Sequence, residues 1–132
     1  MVACGRKALS IMKALFDTNI IIDALNGHFK AKQEIAACAD AAISIVTYLE
    51  VMAGTFPQTE DAARALLLRF KAVDVDLDIA DYAVVLRQER GLSLTDAIIV
   101  ATAQATGRVL MTRDAKLENE FDDPPVRVPY RV

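Results

Sequence analysis

The sequence contains one histidine, two cysteines and no apolar run near the ~18 residues that a membrane helix requires. Cys4 and Cys38 are too far apart in the chain for a zinc knuckle and too few for a disulfide framework, so we interpret them as small hydrophobic residues. The single His28 excludes a histidine-rich metal site and argues against a serine or cysteine triad. Any catalytic chemistry must therefore come from carboxylates. The same absences predict a cytoplasmic protein without a membrane segment.

A basic excess is also missing, because the formal net charge is −3. This charge argues against a protein that binds nucleic acid by electrostatic attraction alone, but it is compatible with an enzyme that holds phosphate through a bound metal. The chain has 132 residues, of which 54% are apolar and 25% charged, and this composition is typical of one folded domain with one core. We interpret the apolar surplus as compatible with a buried partner surface.

Helical and strand patterns alternate along the chain from residue 13 onward. We predict strands at 13–17, 41–46, 73–76, 108–112 and near 126–131. We predict helices at 18–26, 30–39, 47–53, 58–71, 78–90, 94–106 and 115–121. Leu68 lies off the buried stripe of its helix and could face a partner. The alternation predicts an α/β fold, a three-layer α/β/α sandwich with a central parallel sheet, over residues 13–132. We expect residues 1–12 to form a disordered extension.

Four acids fall at predicted helix starts: Asp17, Glu50, Asp96 and Asp114. Three of them, Asp17, Glu50 and Asp114, come just after a predicted strand, where parallel sheets bind ligands. Each acid taken alone is better explained as part of a helix cap. Thr47-x-x-Glu50 and Ser93-x-x-Asp96 match capping boxes, and Asp17 and Asp114 could be ordinary N-caps.

Taken together, the surroundings of these acids favour a shared site. Asp17 lies between "ALF" and "IIID", and Asp96 leads into the almost wholly apolar "AIIVATA". An isolated carboxylate in apolar surroundings costs several kcal/mol, and converging carboxylates repel one another. A divalent cation would compensate them. A set of oxygen ligands without His or Cys points to Mg²⁺ or Mn²⁺ rather than zinc.

The segments "ALFDTNIIIDAL", "SIVTYLEVMAG", "LSLTDAIIVATA" and "GRVLMTRDAKLE" resemble those of the PIN-domain ribonucleases, and most closely the VapC-type toxins of toxin–antitoxin pairs. The resemblance covers nearly all of residues 13–131. It implies that Asp17, Glu50, Asp96 and Asp114 are the metal-binding catalytic acids. It also implies that three further residues orient the ligands or water, namely Thr18, Asn19 and Thr112.

The same resemblance implies a metal-dependent endoribonuclease that leaves 5′-phosphate and 3′-hydroxyl ends, an antitoxin partner and a homodimer. The "AKLENEF" segment after Asp114 is less compact than the usual ending of the family motif. Asp23 could be a further ligand or a structural hydrogen-bond acceptor. Arg113 and Lys116 are candidates for RNA backbone contacts or solvated surface charges, and Arg87 and Arg90 are weaker candidates.

Two other acid-rich folds fit less well. A response-regulator receiver domain has an acidic pair after its first strand and a lysine after its last, and this chain has neither. A haloacid-dehalogenase phosphatase requires D-x-D, whereas this chain has D-T-N at residues 17–19. Within the PIN resemblance, a nuclease of RNA processing without an antitoxin and an inactive PIN-fold interaction module remain as alternatives.

Overall fold

The structure, a computed structural model, describes residues 12–131, so the predicted extension lies outside the described residues except for Met12. The five strands are β1 (Lys13–Phe16), β2 (Asp40–Ser44), β3 (Lys71–Val73), β4 (Val109–Met111) and β5 (Val126–Arg127). The six α-helices are α1 (Thr18–Leu25), α2 (Phe29–Ala37), α3 (Ile45–Ala53), α4 (Glu60–Leu67), α5 (Leu77–Arg90) and α6 (Leu94–Ala105). A short 3₁₀ helix covers Ala115–Leu117.

The strands form one sheet in the order β3-β2-β1-β4-β5, and every neighbouring pair is parallel. The first strand lies at the centre, where Leu15 pairs with Ala42 on one side and with Leu110 on the other. The predicted α/β fold with a central parallel sheet is confirmed. None of the helices described here has the length and apolar character needed to span a membrane.

Alternate residues of β1 face two separate apolar layers, which makes the fold a three-layer sandwich. Ala14 and Phe16 pack in a cluster with residues of α1 to α4. Leu15 packs in the other cluster, with residues of α5 and α6. All three residues are fully buried. Burial of each large apolar side chain contributes roughly 1.5–3 kcal/mol, so β1 is well fixed between the two helical layers. This position matters because the strand leads directly into Asp17.

Two predicted boundaries were wrong because nearby residues cap a helix. The strand predicted at 73–76 covers Lys71–Val73 instead, and Asp76 caps α5 by accepting a 2.8 Å hydrogen bond from the Ile79 N–H. The helix predicted to start at 47 starts at Ile45, since the Ser44 hydroxyl accepts a hydrogen bond from the Val46 N–H. Thr47 therefore lies within α3, and its predicted role as a helix cap was wrong.

Three predicted elements are shorter in the structure. The helix predicted at 58–71 covers only Glu60–Leu67, and the one predicted at 115–121 is a single 3₁₀ turn. The strand predicted near 126–131 pairs only at Val126–Arg127, after which the chain leaves the sheet. The segment after β5 packs instead against α1 and α2 through Tyr130, as described below.

Candidate active site

The carboxyl ends of the neighbouring strands β1 and β4 bring the first and last predicted motifs together. Phe16 pairs with Met111, so Asp17 and Thr112 leave the sheet side by side. The Asp17 N–H continues the ladder by donating a 2.8 Å hydrogen bond to the Met111 carbonyl. Two residues later Asp114 begins the 3₁₀ helix. Parallel strands thus place two acids, 97 positions apart in the sequence (17 to 114), at one edge of the sheet.

A surface depression of about 470 Å³ opens at this edge, and all four predicted acids line it. The described residues that line it are Asp17, Thr18, Asn19, Ile22, Glu50, Ser93, Thr95, Asp96, Arg113 and Asp114. The sequence motifs had not indicated Ile22 or Thr95. Ile22 could have been recognised from its place one helical turn after Asn19, and Thr95 from its position next to Asp96.

Asp17 is the most buried acid of the depression, with 6% of its surface exposed. The pKa of its carboxyl group is raised from 3.8 to about 6, chiefly by burial and in smaller part by the nearby Asp96 and Glu50 carboxylates. Hydrogen bonds from Thr112 and from the Thr18 N–H oppose this rise. The Thr18 N–H donates to Oδ1 at 2.8 Å, as expected for a residue that caps α1. Asp17 is thus an N-cap as well as a candidate ligand.

Thr112 and Asn19 link the acids through a shared set of hydrogen bonds. The Thr112 hydroxyl donates to Asp17 Oδ2 at 2.7 Å and accepts from the Asp114 N–H at 3.0 Å. Asn19 Nδ2 lies 3.4 Å from both Asp17 Oδ2 and Thr112 Oγ1, and its Oδ1 accepts from the Arg113 N–H at 3.3 Å. These two side chains therefore fix the Asp17 carboxylate and the backbone that carries Asp114.

Glu50 reaches the depression from the middle of α3, and the prediction that it opens a helix was wrong. Its side chain is exposed, and its Oε1 accepts a 2.7 Å hydrogen bond from the Thr18 hydroxyl. That hydroxyl also lies 2.9 Å from the hydroxyl of the buried Thr47. Because Thr18 has one hydroxyl proton, which it donates to Glu50, Thr47 must be the donor to Thr18. The Thr18 hydroxyl thus fixes the position of the Glu50 carboxylate.

Asp96 and Asp114 are partly exposed and lie at the starts of their helices, as predicted. Ser93 caps α6 by accepting a 3.1 Å hydrogen bond from the Asp96 N–H, which is half of the predicted capping box. Asp114 Oδ1 accepts from the Lys116 N–H at 3.0 Å. No hydrogen bond to the Asp96 carboxylate occurs within residues 12–131, so it is free to bind a cation.

The chain matches one known protein family over most of its length. The PIN domain profile matches residues 14–120, which covers most of the chain. The chain belongs to the PIN domain family. A comparison with curated protein sequences found no significant match.

Solved structures resemble this PIN domain over almost its whole length. A chain of a toxin–antitoxin complex from Klebsiella pneumoniae is 43% identical, with a TM-score of 0.82 over 91% of this chain and 100% of that one. A chain of VapBC2 from Rickettsia felis, bound to a promoter DNA fragment, is 22% identical, with a TM-score of 0.77 over 88% and 98%. A chain of DNA-bound VapBC from Salmonella typhimurium is 19% identical, with a TM-score of 0.75 over 89% and 98%. The last two likenesses concern the fold.

The donor chemistry of the depression fits a hard divalent cation. The four acids offer carboxylate oxygens only, and these are the ligands that Mg²⁺ and Mn²⁺ prefer. Asp17 is buried beside two other acids and its pKa is raised, so its ionised form would be stabilised by a cation. Within the described chain no three acidic, His or Cys side chains already stand close enough to hold an ion. Ion binding would therefore require the more exposed acids to turn towards Asp17.

Asp23 does not line the depression of this PIN domain. Its Oδ2 accepts a 2.7 Å hydrogen bond from the Tyr130 hydroxyl and lies 3.5 Å from Arg113 Nε. Asp23 could have been a further metal ligand or a structural hydrogen-bond acceptor, and in the structure it is a hydrogen-bond acceptor. Tyr130 had not been indicated by any motif, because nothing local in the sequence marks a contact between residues 107 positions apart.

The candidate RNA-contacting residues differ in position. Arg113 lines the depression, whereas Lys116 does not. Arg87 and Arg90 also lie outside it, and their guanidinium groups donate to the backbone carbonyls of Leu92 and Glu120. Both arginines thus make contacts within the fold, and a contact of either with RNA stays a weaker prediction.

Proposed function

We propose that this PIN domain is a metal-dependent endoribonuclease that hydrolyses RNA phosphodiester bonds and acts as the toxin of a toxin–antitoxin pair. The observation that carries the nuclease proposal is the convergence of Asp17, Glu50, Asp96 and Asp114 on one depression with the buried Asp17 at its floor. Burying Asp17 is unfavourable in the absence of a compensating charge, so the arrangement is best explained by a cation-binding task.

Each acid has a distinct proposed task. Asp17 and Asp96 would hold the principal ion, and Asp114 would complete its set of ligands. Glu50, fixed by the Thr18 hydroxyl, would position the attacking water. Mg²⁺ or Mn²⁺, when bound, would lower the pKa of water and offset the charge on the phosphate.

The proposed reaction is an in-line displacement at phosphorus. The water oxygen bonds to phosphorus as the bond to the 3′-oxygen breaks, and the leaving oxygen takes up a proton. The products are a 5′-phosphate and a 3′-hydroxyl. Asn19 and Thr112 would act by keeping the Asp17 carboxylate in place, since both contact its Oδ2.

A cleavage assay on the purified full-length chain tests the nuclease proposal. With Mg²⁺ or Mn²⁺ the protein should cut single-stranded RNA, EDTA should stop the reaction, and added metal should restore it. Asp17→Asn and Asp96→Asn should each reduce kcat about 100-fold or more while the chain stays folded.

Asp76→Asn is the matched control, because Asp76 also caps a helix but does not line the depression. Asparagine is as good a helix cap as aspartate, so both Asp17→Asn and Asp76→Asn should fold. Full activity in Asp17→Asn or Asp96→Asn would refute the proposed site. A folded, metal-loaded chain that cuts no RNA would favour the inactive interaction module.

The toxin role is supported by the 43% identity to a chain of a toxin–antitoxin complex. Induced expression should arrest bacterial growth, and co-expression of a short DNA-binding protein from the adjacent reading frame should relieve the arrest. Induced expression of the Asp96→Asn variant should not arrest growth. Cleavage without growth arrest, together with no adjacent antitoxin frame, would favour a nuclease of RNA processing instead. A role on cellular RNA predicts a cytoplasmic location.

A homodimer remains part of the proposal. Leu68 is 86% exposed at the end of α4 and lines an apolar groove with Tyr48 and Phe70. An exposed leucine of this kind is typical of a surface that a partner covers. Light scattering should give twice the monomer mass, and Leu68→Glu should lower that mass if this groove forms the contact.

A further inference from the structure

Among residues 12–131, Arg113 is the only basic side chain that lines the depression at the acids. A guanidinium next to several carboxylates would be expected to fold onto them, where it would compete with a divalent cation. The structure shows a different arrangement. Arg113 Nε lies 3.5 Å from Oδ2 of Asp23, an acid outside the depression whose side chain is 14% exposed.

Two residues on one face of α1 hold Arg113 at its backbone and at its side chain. Asn19 Oδ1 accepts from the Arg113 N–H, and Asp23, four residues further along the helix, pairs with Nε. Neither Nη atom of Arg113 makes a hydrogen bond or ion pair within residues 12–131. The guanidinium therefore has both amino groups available at the rim of the depression.

Tyr130 fixes the Asp23 carboxylate from the C-terminal side of the chain. Its hydroxyl donates a 2.7 Å hydrogen bond to Asp23 Oδ2, and its ring stacks on His28 with centroids 4.4 Å apart. His28 is itself fixed, because its Nδ1 accepts from the Ala31 N–H to cap α2. Burial and the adjacent Asp23 carboxylate raise the pKa of Tyr130, so it stays a donor at all ordinary pH values.

We propose that Asp23 and Tyr130 are positioning residues that keep Arg113 away from the catalytic acids and aim it at a backbone phosphate of the RNA. The inference rests on the proposed nuclease function. Arginine suits this task because its planar guanidinium binds two phosphate oxygens at once. One cation at the rim would also offset the repulsion between the RNA and four carboxylates.

RNA binding tests this role without requiring cleavage. The Kd of a fluorescein-labelled single-stranded RNA of mixed sequence is measured by fluorescence anisotropy with Mg²⁺, in the full-length Asp96→Asn background. Arg113→Ala should weaken binding about tenfold, since a charge-assisted hydrogen bond is lost. It should also reduce the slope of log K against log salt by about 0.7, the value for one phosphate contact on a single strand. Arg113→Lys should restore little, because lysine lacks the planar pair of donors.

The effect of Asp23→Asn distinguishes positioning from simple electrostatics. Removing a negative charge near a polyanion site should tighten binding if Asp23 acts only through its charge. Positioning predicts the opposite result, a several-fold larger Kd for Asp23→Asn. Tyr130→Phe, which keeps the ring but loses the hydroxyl, should raise the Kd by a similar factor. The double variant Asp23→Asn/Arg113→Ala should bind no more weakly than Arg113→Ala alone.

Glu34→Gln is the matched control. Glu34 pairs with Arg127 at 3.3 Å, is buried to a similar degree as Asp23, and does not line the depression. Its RNA affinity should equal that of the background. Tighter binding in Asp23→Asn, additive losses in the double variant, or an unchanged Kd in Arg113→Ala would each overturn the inference. A chain that binds RNA in this pattern but cuts none with its acids intact would overturn only the proposed function.

Discussion

The hydroxyl of Thr112 donates a 2.7 Å hydrogen bond to Oδ2 of Asp17, although the two residues lie 95 positions apart in the chain. Thr112 is fully buried and also accepts from the Asp114 N–H. One side chain thus connects the first and last acidic motifs. Its contribution can be measured because threonine and valine have nearly the same shape.

Thr112→Val should lower the free energy of unfolding by about 1–3 kcal/mol, since the buried Asp17 Oδ2 keeps only its longer contact with Asn19 and the Asp114 N–H loses its acceptor. Metal-dependent cleavage should fall about 10-fold or more, as is typical when the support of a metal ligand is lost. Thr112→Ser should stay close to the unsubstituted protein in both urea unfolding and cleavage.

Thr102→Val is the control for that experiment. Thr102 is equally buried, but its hydroxyl donates only to the Ile98 carbonyl within α6. That carbonyl can keep its bond within the helix, so the cost should stay below about 1 kcal/mol. Equal losses in both variants would show that burial of the hydroxyl, and not its bond to Asp17, stabilises the fold.

The pKa of Asp17, raised to about 6 chiefly by burial, predicts a pH-dependent stability of the metal-free protein. The folded state binds the Asp17 proton more tightly than the unfolded chain does. The stability from this group is therefore fully present below pH 3.8 and is lost as the pH rises through about 6. The loss should reach about 3 kcal/mol at most by pH 7.

Urea unfolding of metal-free protein, with and without Asp17→Asn, isolates this contribution from that of the other acids. The unfolding free energy of the unsubstituted protein minus that of Asp17→Asn should become more negative as the pH rises from about 4 to about 7. Added Mg²⁺ or Mn²⁺ should selectively stabilise the protein that retains Asp17 near pH 7, because a cation replaces the proton. If this signed difference stays constant or rises with pH, Asp17 is already ionised without metal.

Arg108 provides a prediction for the opposite edge of the sheet. Its guanidinium, with 5% of the side chain exposed, donates at 2.9 Å to the Asp40 carboxylate and also to the carbonyls of Asp40 and Ala14. Arg108→Ala should lower the free energy of unfolding by about 1–3 kcal/mol, because these acceptors lose a buried donor. Cleavage should be unchanged in folded protein, since Arg108 does not line the depression.

The acid side of the stability curve provides a second readout for Arg108. Its hydrogen bond lowers the pKa of Asp40, so that pair stabilises the fold above the usual carboxyl pKa and loses its effect as the pH falls. Arg108→Ala should therefore show a shallower loss of stability on acidification. An unchanged acid limb would show that Asp40 gains nothing from the contact.

Much of the site was predictable because local signals agreed with the tertiary structure. Asp17 and Asp114 each follow an apolar strand, and parallel pairing then places both acids at one sheet edge. Glu50 shows where such reasoning fails. Ser44 and Thr47 are both plausible caps, and Ser44 ends the strand two residues earlier than predicted, so Glu50 reaches the site from mid-helix. The Asp23–Tyr130 contact joins distant segments, and local periodicity carries no information about it.

Thr18 offers a way to separate the stability of the site from its catalysis. Thr18→Val removes the donor to Glu50 and leaves the buried Thr47 hydroxyl without an acceptor. The free energy of unfolding should fall by about 1–2 kcal/mol, and kcat should fall about tenfold because Glu50 is no longer held. Thr18→Ser should keep both properties.

Adding Thr47→Val to Thr18→Val should recover part of the lost stability, since replacing both partners of a buried hydrogen bond with apolar groups is nearly neutral. It should recover none of the activity, because Glu50 is still without its donor. Urea unfolding and kcat measured on the same four proteins decide the point. If kcat rises together with stability in the double variant, the Thr18 hydroxyl serves the fold and Glu50 does not depend on it for catalysis.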